Sequence, residues 1–164
     1  MRGNSIKLVK RISEEIGLKK PSVDIGGYGS TGMWDKYVKT VVLDKNRNSE
    51  IMADCTDMPQ VESNFYNTII SCDTLEHVKN PFKAAGEMYR ILKPGGIIII
   101  TTVLIWDYHE YPDDYFRFTV DALEIIFEKF DKIESGWSEE DVPFENDKTI
   151  TLKNSGVYFV GRKK

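Results

Sequence analysis

The sequence predicts an α/β fold in three layers: a doubly wound, mostly parallel sheet with helices on both faces and an antiparallel strand near the C-terminus. Three observations predict it. Apolar, β-branched runs alternate with segments of helical spacing through most of the chain. Early runs stop on carboxylates or glycines: Val23-Asp24-Ile25 opens into Gly26-Gly27-Tyr28-Gly29-Ser30-Thr31-Gly32, Val41-Val42-Leu43 ends at Asp44, and Ile51-Met52-Ala53 ends at Asp54. Residues 97–100 are consecutive isoleucines, apolar toward both faces, as a strand in the middle of a helix-covered parallel sheet must be.

Each element follows in order. Residues 5–16 place Ile6, Val9, Ile12 and Ile16 on one helical face, with Lys and Glu opposite. The strands at 23–25, 41–43 and 51–53 come next. Only residues 45–50 separate the second from the third, too few for a helical crossover, so a helix-free loop joins them. Residues 68–71 form a fourth strand. Asn80-Pro81 supplies an N-cap and a first-turn proline, and Phe82, Ala85, Met88, Tyr89 and Leu92 follow at helical spacing until Lys93-Pro94-Gly95-Gly96 breaks the helix. Thr119 caps a helix over 121–130 that turns Leu123, Ile126, Phe127 and Phe130 to one side. Residues 132–137 and 157–160 read as two closing strands joined by a long polar connection.

Composition narrows the function. A chain of 164 residues is the size of one domain: an N-terminal helix in 1–20, a ligand-binding core in 21–130 and closing strands in 131–164. Twenty-two Lys and Arg against 26 Asp and Glu leave a net charge of −4, the wrong sign for a protein held to a phosphate backbone, so no nucleic acid is expected. The longest apolar stretch, 97–106, is broken by Thr101 and Thr102 and is far below the ~20 residues of a membrane span. The N-terminus shows no apolar signal core, so a cytoplasmic location is expected. Cys55 and Cys72 give no disulfide framework and no metal cluster, and both are expected reduced.

In open parallel sheets, ligands bind beyond the carboxyl ends of the strands, where the strand order reverses. Glycines after the first strand let backbone amides approach a ligand, and Asp44, 20 residues after Asp24, is placed to accept from ribose hydroxyls. Asp54 can accept from the exocyclic amine of a purine. The pattern describes an adenosine cradle. Residues 27–32 match the G-x-G-x-x-G of dinucleotide sites, yet Asp24 would repel a pyrophosphate and attract a sulfonium and an ammonium instead.

Val23-Asp24-Ile25-Gly26-Gly27, Val42-Leu43-Asp44, Ala53-Asp54-Cys55-Thr56-Asp57-Met58-Pro59, Leu75-Glu76-His77-Val78 and Arg90-Ile91-Leu92-Lys93-Pro94-Gly95-Gly96 together resemble class I S-adenosylmethionine-dependent methyltransferases, which have a Rossmann-like fold. The helix-free join after Asp44 and the run Pro112-Asp113-Asp114-Tyr115-Phe116-Arg117-Phe118-Thr119 resemble a branch of the type 11 family. The resemblance implies that Asp24, Gly26, Gly27 and Gly29 line the methionine end of S-adenosylmethionine, Asp44 holds its ribose, Asp54 and Cys55 meet its adenine, and Ser71 and Cys72 close the pocket beside the sulfonium. The chain departs from the family at Tyr28, where glycine is common, and at Asn67, where aspartate is.

The segment 106–116 follows the central strand and is crowded with aromatic and acidic residues, so it is expected to overhang the transferable methyl. His109, one of two histidines, is the candidate general base, and Arg117 is expected to pair with Asp113 or Asp114 and brace the loop. Asp73, Glu76 and His77 would share a helical face able to offer a divalent metal two oxygens and a nitrogen, but a helix start whose histidine packs on the sheet is the stronger reading, and no metal is assigned. The function expected is methyl transfer to a small-molecule or glycan acceptor, with homodimerisation left open. A nicotinamide-dependent oxidoreductase fits the glycine spacing, and a non-catalytic methyltransferase-like module fits the altered glycine loop; these are the alternatives.

Overall fold

The computed structural model describes residues 2–27, 41–44, 50–110, 113–138, 142–144, 147–152 and 156–164. The chain runs α1 (Arg2–Ile16), β1 (Ser22–Ile25), β2 (Val41–Asp44), β3 (Ile51–Met52), β4 (Tyr66–Cys72), a 3-10 turn (Leu75–His77), α2 (Pro81–Ile91), β5 (Leu92–Val103), α3 (Val120–Ile126), β6 (Phe130–Ser138), β7 (Val142–Phe144), β8 (Asp147–Leu152) and β9 (Gly156–Lys163). The main sheet has the order β3-β2-β1-β4-β5-β9-β6. Its first five strands are parallel, and β9 runs antiparallel to both β5 and β6. This is the three-layer doubly wound sheet the sequence predicts. Strand order reverses beside β1, with β2 on one side and β4 on the other.

The isoleucine run of β5 explains the layers. Ile97 and Ile99 face α1, packing with Leu8, Val9 and Ile12. Ile98 and Ile100 face the opposite way, into a core with Met88 and Ile91 of α2 and Leu123, Ile126 and Phe127 of α3 and its C-terminal turn. Alternate residues of a strand point to opposite faces, so four β-branched residues in a row serve both layers at once. Strands β2 and β3 pair in parallel, and the helix-free join expected between them falls on residues 45–49, outside the described residues.

Several boundaries differ from the sequence expectation. Helix α2 keeps its Asn80 cap, whose side chain accepts from the Lys83 amide at 3.0 Å, but buries Ala84, Ala85, Met88 and Ile91 and leaves Phe82 60% exposed. Leu92 pairs with Tyr66 and Ile97 with Thr68, so residues 93–96 bulge outward, with Gly95 at φ +77°. Thr119 caps α3 through the Ala122 amide at 3.2 Å, yet the helix stops at Ile126, and Phe130 begins β6 instead of ending the helix. The connection expected as polar loop contains the β7–β8 hairpin.

Candidate active site

The carboxyl edge of the sheet at the reversal point gathers the predicted ligand residues. Ile25 pairs with Leu43 and Asp24 with Ile70, so Gly26, Asp44 and Cys72 lie one step beyond at matching levels of three adjacent strands. Asp24 is buried within β1. Gly26 has φ +79°, and a Cβ there would stand 2.3 Å from Thr74 Cγ2 and Oγ1. Only glycine permits both that backbone and that approach. The close approach is fixed by hydroxyls: Ser71 Oγ donates to the Ile25 carbonyl at 2.9 Å, and Thr74 Oγ1 donates to the Cys72 carbonyl at 3.0 Å.

The other predicted residues divide. Asp54 is exposed, and its Oδ1 accepts from the Thr56 amide at 2.8 Å and the Thr56 hydroxyl at 2.7 Å, a local Asx turn. Cys55 is half-buried. Burial, and then Asp73, push the Cys72 thiol well up. Gly27 is buried. Gly29 and Tyr28 lie outside the described residues, as does the side chain of Asp44. Asn67 donates from its side-chain amide to the Lys20 carbonyl, which the carboxylate common in the family could not do.

A second group of polar side chains comes together beside the end of β5. Asp73 to His77 is no α-helix: Asp73 has φ +52°, and residues 75–77 form a 3-10 turn, which removes the expected shared face. Glu76 instead points inward with 0% exposure, its Oε2 accepting from Thr102 Oγ1 at 2.7 Å and its Oε1 without a hydrogen-bond partner. Burial raises its carboxyl to about 7. Leaving a buried acceptor unpaired costs about 1–3 kcal/mol, more when it is charged.

The loop after β5 closes over this turn. Backbone amides of Tyr115 and Phe116 donate to the Glu76 carbonyl at 2.8 and 3.3 Å, and Phe118 donates to Val103 at 2.8 Å. His77 Nδ1 meets the Asp113 carbonyl, and His109 Nδ1 meets the Asp107 carbonyl at 3.0 Å. The two imidazoles stand edge to face, centroids 4.8 Å apart. Arg117 braces the loop by a two-pronged bond to Asp114, at 2.5 and 2.7 Å, with further bonds to carbonyls of Trp106, Asp107 and Phe116. Asp114 also accepts from the His109 amide at 2.9 Å, and Arg117 holds its carboxyl well below the usual range. The pairing expected for Arg117 is therefore found, with Asp114. The sequence singled out His109 but missed its meeting with Glu76 and His77, which are 33 and 32 positions earlier in the chain and carry no spacing signal.

Comparison with known proteins agrees with this geometry. Residues 32–100 match the methyltransferase-domain family. A SAM-dependent methyltransferase from Thermotoga maritima superposes with a TM-score of 0.69 at 17% identity, covering 99% of this chain and 90% of that one. One from Archaeoglobus fulgidus gives 0.71 at 13%, covering 99% and 96%. The [4+2]-cyclase SpnF gives 0.72 at 12%, covering 96% and 80%. A search of curated protein sequences finds no match. The Rossmann-like fold expected of the chain thus holds. Among the described residues, no helix is long and apolar enough to cross a membrane.

Proposed function

We propose that this chain binds S-adenosylmethionine at the reversal point beside β1 and transfers its methyl to a hydroxyl-bearing small-molecule or glycan acceptor. The observation that carries the reading is the alignment of Gly26, Asp44 and Cys72 on three adjacent strand ends, with buried Asp24 two residues before Gly26. A negative, glycine-opened crevice favours a ligand with a sulfonium and an ammonium over a pyrophosphate. Bound, the cofactor supplies an electrophilic methyl carbon. Asp24 and Asp44 hold its amino and ribose groups, and the loop over 104–117 presents the acceptor. Displacement in line asks mainly for alignment, which a rigid crevice provides. Tyr108, Trp106 and Tyr115 are exposed on that loop and offer ring faces to an acceptor such as a sugar. His109 Nδ1 is engaged on a carbonyl, so in the metal-free chain Nε2 is the ring nitrogen that would take the acceptor proton.

Calorimetric titration with S-adenosylhomocysteine tests the reading. Binding is expected, with NAD weak or inert, and Asp44→Ala should weaken it by about 1.5–3 kcal/mol through one lost charge-assisted hydrogen bond. His109→Ala should cut turnover and leave cofactor affinity intact. Preference for NAD, or no melting shift with S-adenosylhomocysteine, would remove the methyl-transfer reading.

A further inference from the structure

Glu76, His77 and His109 each offer a ligand atom, and these three atoms lie within 4.8 Å of one another. Glu76 Oε1 is buried and without a hydrogen-bond partner, while its other oxygen is fixed by Thr102. Both imidazoles set their Nδ1 against backbone carbonyls, of Asp113 and Asp107. A carbonyl only accepts, so Nδ1 carries the hydrogen in each ring and Nε2 presents a lone pair. Metal-binding histidines use the same device, a carbonyl on the far nitrogen that fixes tautomer and ring orientation. The nearest guanidinium does not cancel the Glu76 charge by contact, because Arg117 is spent on Asp114 and three carbonyls.

We propose that Glu76, His77 and His109 bind one divalent transition-metal ion of the zinc class, leaving an open coordination position on the acceptor side. Two nitrogens and one carboxylate suit zinc, iron(II) or cobalt(II) and are too nitrogen-rich for magnesium or calcium. Three protein ligands with a vacant fourth position is the pattern of catalytic rather than structural sites. Bonds of ~2.0–2.2 Å would bring the ligand atoms to roughly 3.4 Å apart, so the loop carrying His109 closes slightly on the 3-10 turn as the ion binds.

The role of the ion rests on the methyl-transfer reading. An acceptor hydroxyl in the open position becomes more acidic and loses its proton to solvent water. The oxygen's electron pair then bonds to the methyl carbon as the carbon–sulfur bond breaks, and that bond's pair stays on sulfur as the neutral thioether. In this scheme His109 is a ligand and the proton acceptor is water.

Equilibrium dialysis of the metal-free full chain against Zn²⁺, with Co²⁺ absorption as a second readout, tests the site apart from activity. One ion per chain is expected, with visible Co²⁺ bands of a low-coordinate nitrogen and oxygen site. Glu76→Gln and His109→Ala should each weaken Zn²⁺ at least ~10-fold while S-adenosylhomocysteine affinity is unchanged. His109 sits on a surface loop, so its variant folds even where a change at buried Glu76 perturbs the turn. No saturable Zn²⁺ binding, or binding that both variants retain in full, overturns the site. Saturable Zn²⁺ binding without any S-adenosylhomocysteine binding overturns the methyl-transfer reading and the acceptor role while the ion site stands.

Discussion

Gly26 and Glu76 show how single positions hold this site. At Gly26, alanine would meet both a left-handed backbone and Thr74 at 2.3 Å, so Gly26→Ala should destabilise the chain by about 1–3 kcal/mol in urea unfolding and loosen the turn after β1. Wild-type stability would show that the two turns can part. Glu76 acts in the opposite sense. Its raised carboxyl keeps a proton in the folded, metal-free chain that the unfolded chain has already released above about 4.5. Stability therefore declines as pH rises from about 4.5 to about 7, and Glu76→Gln should flatten that decline and raise the melting temperature at neutral pH. That outcome would mark Glu76 as a group that costs stability and acts in chemistry. The sequence exposed Gly26 directly, since a glycine after a strand signals its own geometry. It concealed Glu76, whose inward aim depends on a 3-10 turn where an α-helix was expected.

At the scale of elements, two carboxylate–arginine pairs tie loops to the framework. Arg90 pairs with Glu87 on α2 and also donates to the carbonyls of Met58 and Val61, each at 2.7 Å, while Glu87 accepts from the Met58 amide at 2.8 Å. That network fastens the segment after β3, next to Asp54. Asp114 and Arg117 do the same for the loop carrying His109. Both carboxyls are lowered, chiefly by their arginines, so their stabilisation is present above the unfolded carboxylate range and is lost as pH falls through and below about 4. Asp114→Asn should cost about 1–3 kcal/mol and remove the acid-side slope that this pair contributes, read by denaturation at a series of pH values. Local signals made the caps legible: Asn80 and Thr119 sit where the sequence put them. The end of α3 was not legible, because Phe130 keeps helical spacing with Leu123 and Ile126 while serving as the first residue of a strand that packs into the same core. In hairpin β7–β8 the alternation is confined to Thr149-Ile150-Thr151-Leu152, and Pro143 in the three-residue β7 hides its partner.

For the whole molecule, the layered, mostly parallel architecture was readable because a both-faces-apolar strand and carboxylate-ended neighbours belong together, whereas the order of the strands was not read. The direction of β9 was expected, and its place between β5 and β6 follows from pairing that no local pattern encodes. Lys163 secures that place. Its ammonium is buried, donates to Tyr89 O, Leu92 O and Asn64 Oδ1 at 2.7, 2.8 and 2.7 Å, and lies over the Tyr89 ring. Lys163→Met should cost about 2–4 kcal/mol by stranding three oxygens, checked by chemical unfolding.

The position of β9 bears on biosynthesis. Strands β5 and β6 are both made before the segment that must slot between them, so a nascent chain on the ribosome carries two open flanks, one of them the isoleucine run, until β9 has emerged. Such flanks invite pairing with other chains, which makes this protein a natural client for a holding chaperone and makes slow, cool expression the favourable regime for recovering it folded.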